Sequence, residues 1–130
     1  MIRENLARWH EVIETQNTKL LSDLLADDVV FFSPVVHKPQ KGKAISFLYL
    51  SAAFTVLAND DFEYTGEYLA ETAAVLEFRT IIDGIEINGV DMITWNAEGK
   101  ISEFKVMLRP LKAVNKVHEL MAGMLEKMAP

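Results

Sequence analysis

Apolar residues recur every three or four positions in four stretches of the chain, which is the spacing of helices that bury one face. In the first stretch these positions are Leu6, Trp9, Val12 and Ile13. A short second helix is predicted over about residues 18–25, and Asp27-Asp28 is expected to end it. A strongly apolar third helix covers 44–57, and a last helix covers about 111–128.

Alternating apolar and polar residues, rich in β-branched and aromatic types, predict strands in the rest of the chain. Residues 29–34 form a short strand that ends at a proline, and 35–43 form a loop. The later strands are predicted over 62–70, 73–82, 85–95 and 100–108. Helices followed by a run of strands indicate an α+β domain in which helices pack on one curved antiparallel sheet.

The dipeptide Asp83-Gly84 is a strong hairpin signal, and it fixes the register of two of these strands. If these are the two turn residues, Ile82 pairs with Ile85, and side chains alternate between the two faces from there. One face is then almost entirely apolar and should contact the helices. Asp91 is the only ionisable residue on that face, whose members are Leu76, Phe78, Thr80, Ile82, Ile85, Ile87, Asp91, Ile93 and Trp95.

A carboxylate that faces a core must find a partner or take up a proton, because burying an unpaired charge is costly. Desolvation raises the pKa of such a group, and a neutral carboxyl can donate a hydrogen bond or move a proton at a reacting centre. Asp91 is therefore the candidate catalytic residue. Three purely structural roles stay open: capping a strand end, a bond to a neighbouring backbone amide, or a pair with His10 or Arg109.

Composition and charge exclude several classes of protein. The 130 residues are enough for one domain with its own core, and a net charge of -6 gives no basic surface for nucleic acid or anionic membrane. The absence of cysteine excludes disulfides and thiolate chemistry. We expect no metal, since His10, His37 and His118 lack metal-ligand spacing, and no cofactor, since the chain has no glycine-rich phosphate loop. The N-terminus has no apolar signal core, and we expect a cytoplasmic protein without a membrane span.

Three segments, in order, resemble the nuclear transport factor 2-like superfamily, and within it the SnoaL-like and ketosteroid-isomerase-like branch. They are LARWHEVIETQNTKLLSDLLADDVVFFSP, the Lys-Gly before the third helix, and GVDMITWNAEGKISEF. The resemblance covers about residues 2–110 of a single domain spanning 1–130, with the helix at about 111–128 as an addition. It implies a cone-shaped sheet, of the cystatin-like α+β barrel type, around a pocket. It also implies a homodimer through the outer face of the sheet.

The resemblance places three isomerase positions on this sequence. The late-strand acid of the isomerases falls on Asp91 and is retained. Their first-helix tyrosine falls on Trp9, and their proton-moving aspartate before a proline falls on Ser33, so steroid isomerisation by the usual mechanism is not expected. Cyclases of the SnoaL type rely mainly on one acid–base aspartate in the pocket, a requirement that Asp91 meets.

A hydrophobic pocket around Asp91 is expected inside the cone. Trp9 is predicted to be a core aromatic whose indole N–H could donate to a ligand. His37, in the loop near the pocket mouth, is a candidate acid or base, although an exposed loop residue is the simpler interpretation. The complete set of expected substrate-binding residues is Trp9, Phe31, Ser33, His37, Phe78, Ile93, Trp95, Phe104, Val106 and Leu108.

Three hypotheses of function follow from the sequence. The first is a cofactor-free isomerase, cyclase or dehydratase acting on a small hydrophobic or polyketide-like molecule. The second is a non-catalytic module that binds a small hydrophobic ligand. The third is a dimerising scaffold whose cavity is filled by side chains. Met121, Met124 and Met128 of the last helix could cover the cone mouth, contact a second subunit or simply pack on the core.

Overall fold

A computed structural model of the protein describes residues 1–128 and confirms an α+β fold. Four helices and six strands alternate irregularly along the chain. In order they are α1 (Ile2–Thr15), α2 (Thr18–Leu24), β1 (Leu25–Phe32), β2 (Gln40–Lys41), α3 (Lys43–Leu57), β3 (Glu63–Leu69), β4 (Ala73–Ile82), β5 (Ile85–Trp95), β6 (Ile101–Arg109) and α4 (Leu111–Met128).

The transition from α2 to β1 differs from the prediction. Helix α2 ends at Leu24, and the strand begins at once with Leu25. Asp27 and Asp28 are therefore exposed residues within β1 and do not end the helix. The start of α2 is explained by its N-cap residue. The Asn17 side chain accepts a hydrogen bond from the Leu20 amide at 3.1 Å, as expected at this position.

The six strands form one curved, open sheet in the order β2-β1-β6-β5-β4-β3. Neighbouring strands are antiparallel except β1 and β6, which run parallel from Leu25 and Ile101 onward. The prediction of an entirely antiparallel sheet was wrong for this pair. Two residues of the predicted loop, Gln40 and Lys41, add the short edge strand β2.

The register predicted for the central hairpin is confirmed. Ile82 pairs with Ile85 and Leu76 pairs with Asp91. Asp83 has φ 50° and Gly84 has φ 77°, the left-handed conformations of a type I′ turn. The face that includes Asp91 is turned toward the helices.

Helix α4 packs mainly on α3, with further contacts to β5 and β6. Ala113, Val117 and Met121 are buried in the same core as the other helices, whereas Met128 is 37% exposed. An ion pair of 2.7 Å between Lys116 Nζ and Asp83 Oδ2 fixes the helix to the β4–β5 turn. The inner side of α4 is therefore part of the core. No helix within residues 1–128 is long and apolar enough to cross a membrane.

Candidate functional site

A chain of two hydrogen bonds joins three elements at the centre of the fold. The Trp9 indole N–H, on α1, donates to the Tyr64 hydroxyl on β3 at 2.9 Å. The Tyr64 hydroxyl in turn donates to Asp91 Oδ2 on β5 at 2.6 Å. No residue of the described chain bonds to Asp91 Oδ1, so this second carboxyl oxygen is available to a ligand.

Tyr64 reaches Asp91 because of an irregularity in β3. Glu67 pairs with Leu76 and Gly66 with Glu77, but the next pair is Tyr64 with Phe78, so Thr65 is an extra residue. Glu67 pairs with Leu76 and therefore lies on the helix-facing side. In a regular strand Tyr64, three residues earlier, would lie on the outer side. The bulge at Thr65 instead turns Tyr64 to the helix-facing side, beside Phe78.

Asp91 is the only acidic or basic residue among residues 1–128 whose side chain is buried, with 7% of its surface exposed. Burial raises the pKa of Asp91 from 3.8 to about 7, and the hydrogen bond from Tyr64 opposes part of that rise. Burial also raises the pKa of Tyr64 well above its usual value, and the charge of Asp91 raises it further. Tyr64 therefore remains a neutral donor, while Asp91 changes its protonation state near neutral pH.

A small apolar cavity lies beside Asp91. Its volume of about 30 Å³ is far below the roughly 300–1,000 Å³ of typical small-molecule sites. Aromatic packing accounts for the small volume. The Trp9 ring is stacked on the Phe54 ring, with 5.5 Å between the ring centroids, and its centroid lies 4.9 Å from that of the Phe104 ring. The lining residues are Trp9, Ile13, Leu50, Ala53, Phe54, Leu57, Ala58, Phe62, Phe78, Asp91, Phe104 and Val106.

Gly89 makes room for one wall of this cavity. A Cβ atom at this position would lie 2.6 Å from the Phe78 ring and 2.7 Å from the Met107 carbonyl oxygen. Phe78 pairs with Gly89 across the hairpin, so the ring occupies the space that a side chain would take. The glycine two residues before Asp91 is needed for this close approach.

The expected site residues fall into three groups. Trp9, Phe78, Phe104 and Val106 line the cavity with Asp91. Phe31, Ile93 and Trp95 are buried in the core but do not line the cavity. Ser33, His37 and Leu108 lie elsewhere, in an open groove between the loop after β1 and the end of β6, and only Val106 borders both spaces.

The partner of Asp91 was missed by the analysis of the sequence. We expected an amide, His10 or Arg109, but the partner is Tyr64. Arg109 instead donates to Asn88 Oδ1 at 3.3 Å, and His10 Nε2 lies 2.8 Å from Glu67 Oε2 near the surface. The isolated Gly66 within a strand pattern was the available signal, because such a glycine often marks a bulge.

No group of three metal-ligating side chains converges anywhere in residues 1–128.

Comparison with known proteins gives no match to a protein-family model and none to a curated protein. Solved structures do match. A steroid delta-isomerase from Pseudomonas aeruginosa is 33% identical over 97% of this chain and 92% of its own, with a TM-score of 0.91. An uncharacterized protein with a cystatin-like fold from Silicibacter pomeroyi is 30% identical over 92% of this chain and 83% of its own, with a TM-score of 0.84.

More distant structures share the fold alone. A protein from Mesorhizobium loti described as similar to nuclear transport factor 2 is 19% identical over 83% of this chain and 90% of its own, with a TM-score of 0.70. A hypothetical protein with a ketosteroid isomerase-like fold, from Catenulispora acidiphila, is 16% identical over 89% of this chain and 92% of its own, with a TM-score of 0.63.

Proposed function

The chain belongs to the nuclear transport factor 2-like superfamily, and from this premise we propose that it is a cofactor-free enzyme that moves a proton on a small hydrophobic molecule. The reaction is an isomerisation, cyclisation or dehydration with Asp91 as the acid–base group. The observation that carries the proposal is the buried carboxyl of Asp91, held by Tyr64 at the edge of an apolar cavity.

The geometry leaves one carboxyl oxygen for the reaction. Tyr64 occupies Oδ2, so proton transfer takes place at Oδ1. Because the pKa of Asp91 is about 7, both protonation states are present near neutral pH. In an isomerisation, the ionised form removes a proton from the carbon beside a carbonyl group. The neutral form then returns that proton to a different carbon, so no proton is consumed overall.

The positions on α1 and before the proline distinguish this site from the isomerase pattern described above. Trp9 supplies an N–H donor, but the donor is bound to the Tyr64 hydroxyl. Ser33 lies in the outer groove. The similarity to a steroid delta-isomerase supports proton transfer as the class of reaction, with Asp91 carrying both proton-transfer steps in this chain.

A non-catalytic dimerising module, whose cavity is filled by side chains, is the second candidate. The observation in its favour is the volume of about 30 Å³ beside Asp91, which is too small for a steroid or polyketide. For the enzyme, substrate binding requires Phe54, Phe62 or Trp9 to move away from the cavity. For the module, the aromatic packing is the final state.

A panel of β,γ-unsaturated ketones, including steroids, tests the two candidates. Formation of the conjugated ketone is followed by ultraviolet absorbance, and binding is followed by calorimetry. For the enzyme, Asp91→Asn lowers kcat/KM by roughly a hundredfold or more while ligand binding persists. Glu86→Gln, on the same strand but exposed, is the matched control. Binding without conversion by the wild type would contradict catalysis and point to a ligand-binding module, and a protein that neither binds nor converts any member would favour the dimerising module.

We also propose that the protein is a cytoplasmic homodimer that pairs through the outer face of the sheet. Most outer side chains of β4 and β5 are half-buried in the single chain, and these include Val75, Ile81, Val90 and Met92. Sedimentation equilibrium tests the dimer, and substitution of Val90 by Asp should dissociate it.

A further inference from the structure

An open groove of about 900 Å³ lies between the loop that follows β1 and the last residues of β6. The groove arises because the two strands part. The last β1–β6 pair is Phe32 with Lys105, whereas β6 continues to Arg109. Pro34 has no amide to continue the pairing, and the Val35 amide turns back to Ser33 Oγ at 3.1 Å. The edge of β6 beyond Lys105 is thereby uncovered.

The groove is lined mostly by apolar residues, and its ionisable residues are Lys105 and His37. Of the eleven lining residues none is acidic, although the chain has nineteen acidic residues against thirteen lysines and arginines. Lys105 is half-buried, with its Nζ atom 4.9 Å from the centre of the Phe32 ring. It forms no ion pair with residues 1–128. Lys105 pairs with Met92, at the border of the outer face proposed above as the subunit contact, and it lines the groove on the side of β6 that faces the loop after β1. On that side its charge is available to an anion.

We propose that this groove binds a small amphipathic molecule with an apolar body and one carboxylate. The carboxylate pairs with the Lys105 ammonium group, and His37 offers a further hydrogen-bond donor at the exposed rim. The hydrocarbon part lies against Val35, Val36 and Leu108. Val106 is the one lining residue that the groove shares with the cavity at Asp91.

Two naphthalene derivatives of the same shape test the proposal. 2-Naphthoate carries the carboxylate, and 2-naphthamide is its neutral counterpart. The wild type should bind naphthoate more tightly than the amide. Lys105→Gln should weaken naphthoate by about tenfold, the value of one charge-assisted hydrogen bond, and leave the amide unchanged. Lys105→Arg should retain most of the naphthoate affinity, and Lys112→Gln, outside the groove on α4, should retain all of it.

Amide chemical shifts show where the probe binds. The shifts caused by naphthoate should cluster at Val35, Val36 and Leu108. Asp91→Asn should bind naphthoate with an affinity within twofold of the wild type, whatever its effect on turnover. The groove and the proposed enzyme activity are therefore tested independently.

Four results would overturn the proposal. The first is that folded wild type does not bind naphthoate at millimolar concentration, and the second is that the two probes bind with equal affinity. The third is that the amide chemical shifts change only at Phe54 and Phe62, beside the inner cavity. The fourth is that Lys105→Gln changes the sedimenting mass of the protein but not its affinity for naphthoate. The last result would identify the groove as a subunit contact.

Discussion

Tyr64 and Asp91 are 27 residues apart in the chain, yet the tyrosine hydroxyl donates to the aspartate Oδ2 atom at 2.6 Å in the interior. This bond joins the edge strand β3 to β5 across β4. It also decides which oxygen of the buried carboxyl is available for chemistry.

Removing this hydroxyl should change the acidity of Asp91. In Tyr64→Phe the hydrogen bond that lowers the pKa of Asp91 is lost while burial remains, so the pKa rises above about 7. A carbon-detected NMR titration of the Asp91 carboxyl measures it. Tyr68→Phe, on the same strand but 64% exposed, is the control and should leave the pKa unchanged. A pKa in Tyr64→Phe that is equal to or below the wild-type value would contradict this account of the site.

Asp91 should make the protein more stable in acid than at neutral pH. Its pKa is about 7 when folded and near 3.8 when unfolded, so the folded state binds more protons between these values. The contribution is complete below 3.8 and is lost as the pH rises to about 7, at up to roughly 1.4 kcal/mol per pH unit. Urea unfolding at a series of pH values measures it.

The variant Asp91→Asn isolates this contribution from those of the other carboxyls. Its stability curve, compared with the wild-type curve, should lack the decline between pH 4 and 7, and the exposed control Glu86→Gln should keep it. Parallel curves for wild type and Asp91→Asn would show that the carboxyl titrates alike in the folded and unfolded states.

Gly89 should not tolerate a methyl group. In Gly89→Ala the new atom meets the Phe78 ring and the Met107 carbonyl oxygen, and overpacking of this kind costs about 1–3 kcal/mol of the free energy of unfolding. Gly123→Ala is the matched control, because nothing lies within 4 Å of the added atom, and it should stabilise α4 by roughly 0.5–1 kcal/mol. Thermal unfolding compares the two, and an unchanged stability in Gly89→Ala would contradict the close approach of Phe78.

Asn59 should stabilise the junction between α3 and β4. Its amide donates to the Ile81 carbonyl at 3.0 Å, and its oxygen accepts from the buried Thr80 hydroxyl at 2.7 Å. Asn59→Ala leaves that hydroxyl without its partner, which costs about 1–3 kcal/mol. A double-mutant cycle with Thr80→Val measures the pair, and full additivity of the two substitutions would show that the bond contributes nothing.

The central hairpin could be predicted because its information is local. Asp83-Gly84 specifies a turn of two residues, and a strict alternation then assigns a face to every residue up to Asp91. No comparable signal specifies β3. The extra residue at Thr65 changes the face of the sheet on which the side chains before it lie. This bulge is visible only in how β3 pairs with β4, and the sequence of β3 alone does not specify that pairing.

Parallel pairing was also outside the reach of local patterns. β1 and β6 are separated by most of the chain, and nothing in residues 29–34 distinguishes a parallel neighbour from an antiparallel one. The volume beside Asp91 is equally difficult to predict, because it depends on how the rings of Trp9, Phe54 and Phe104 stack. An apolar pattern indicates which residues face inward but not how completely they fill the space.

The bond from Trp9 to Tyr64 gives the protein an optical reporter of its own. The sequence has only two tryptophans, Trp9 and Trp95, so Trp95→Phe leaves one indole as the source of tryptophan emission. That fluorophore is two hydrogen bonds from the carboxyl. The wavelength and intensity of its emission can therefore report a proton gained or lost at Asp91, or the binding of a ligand that separates the aromatic rings, before any substrate is known.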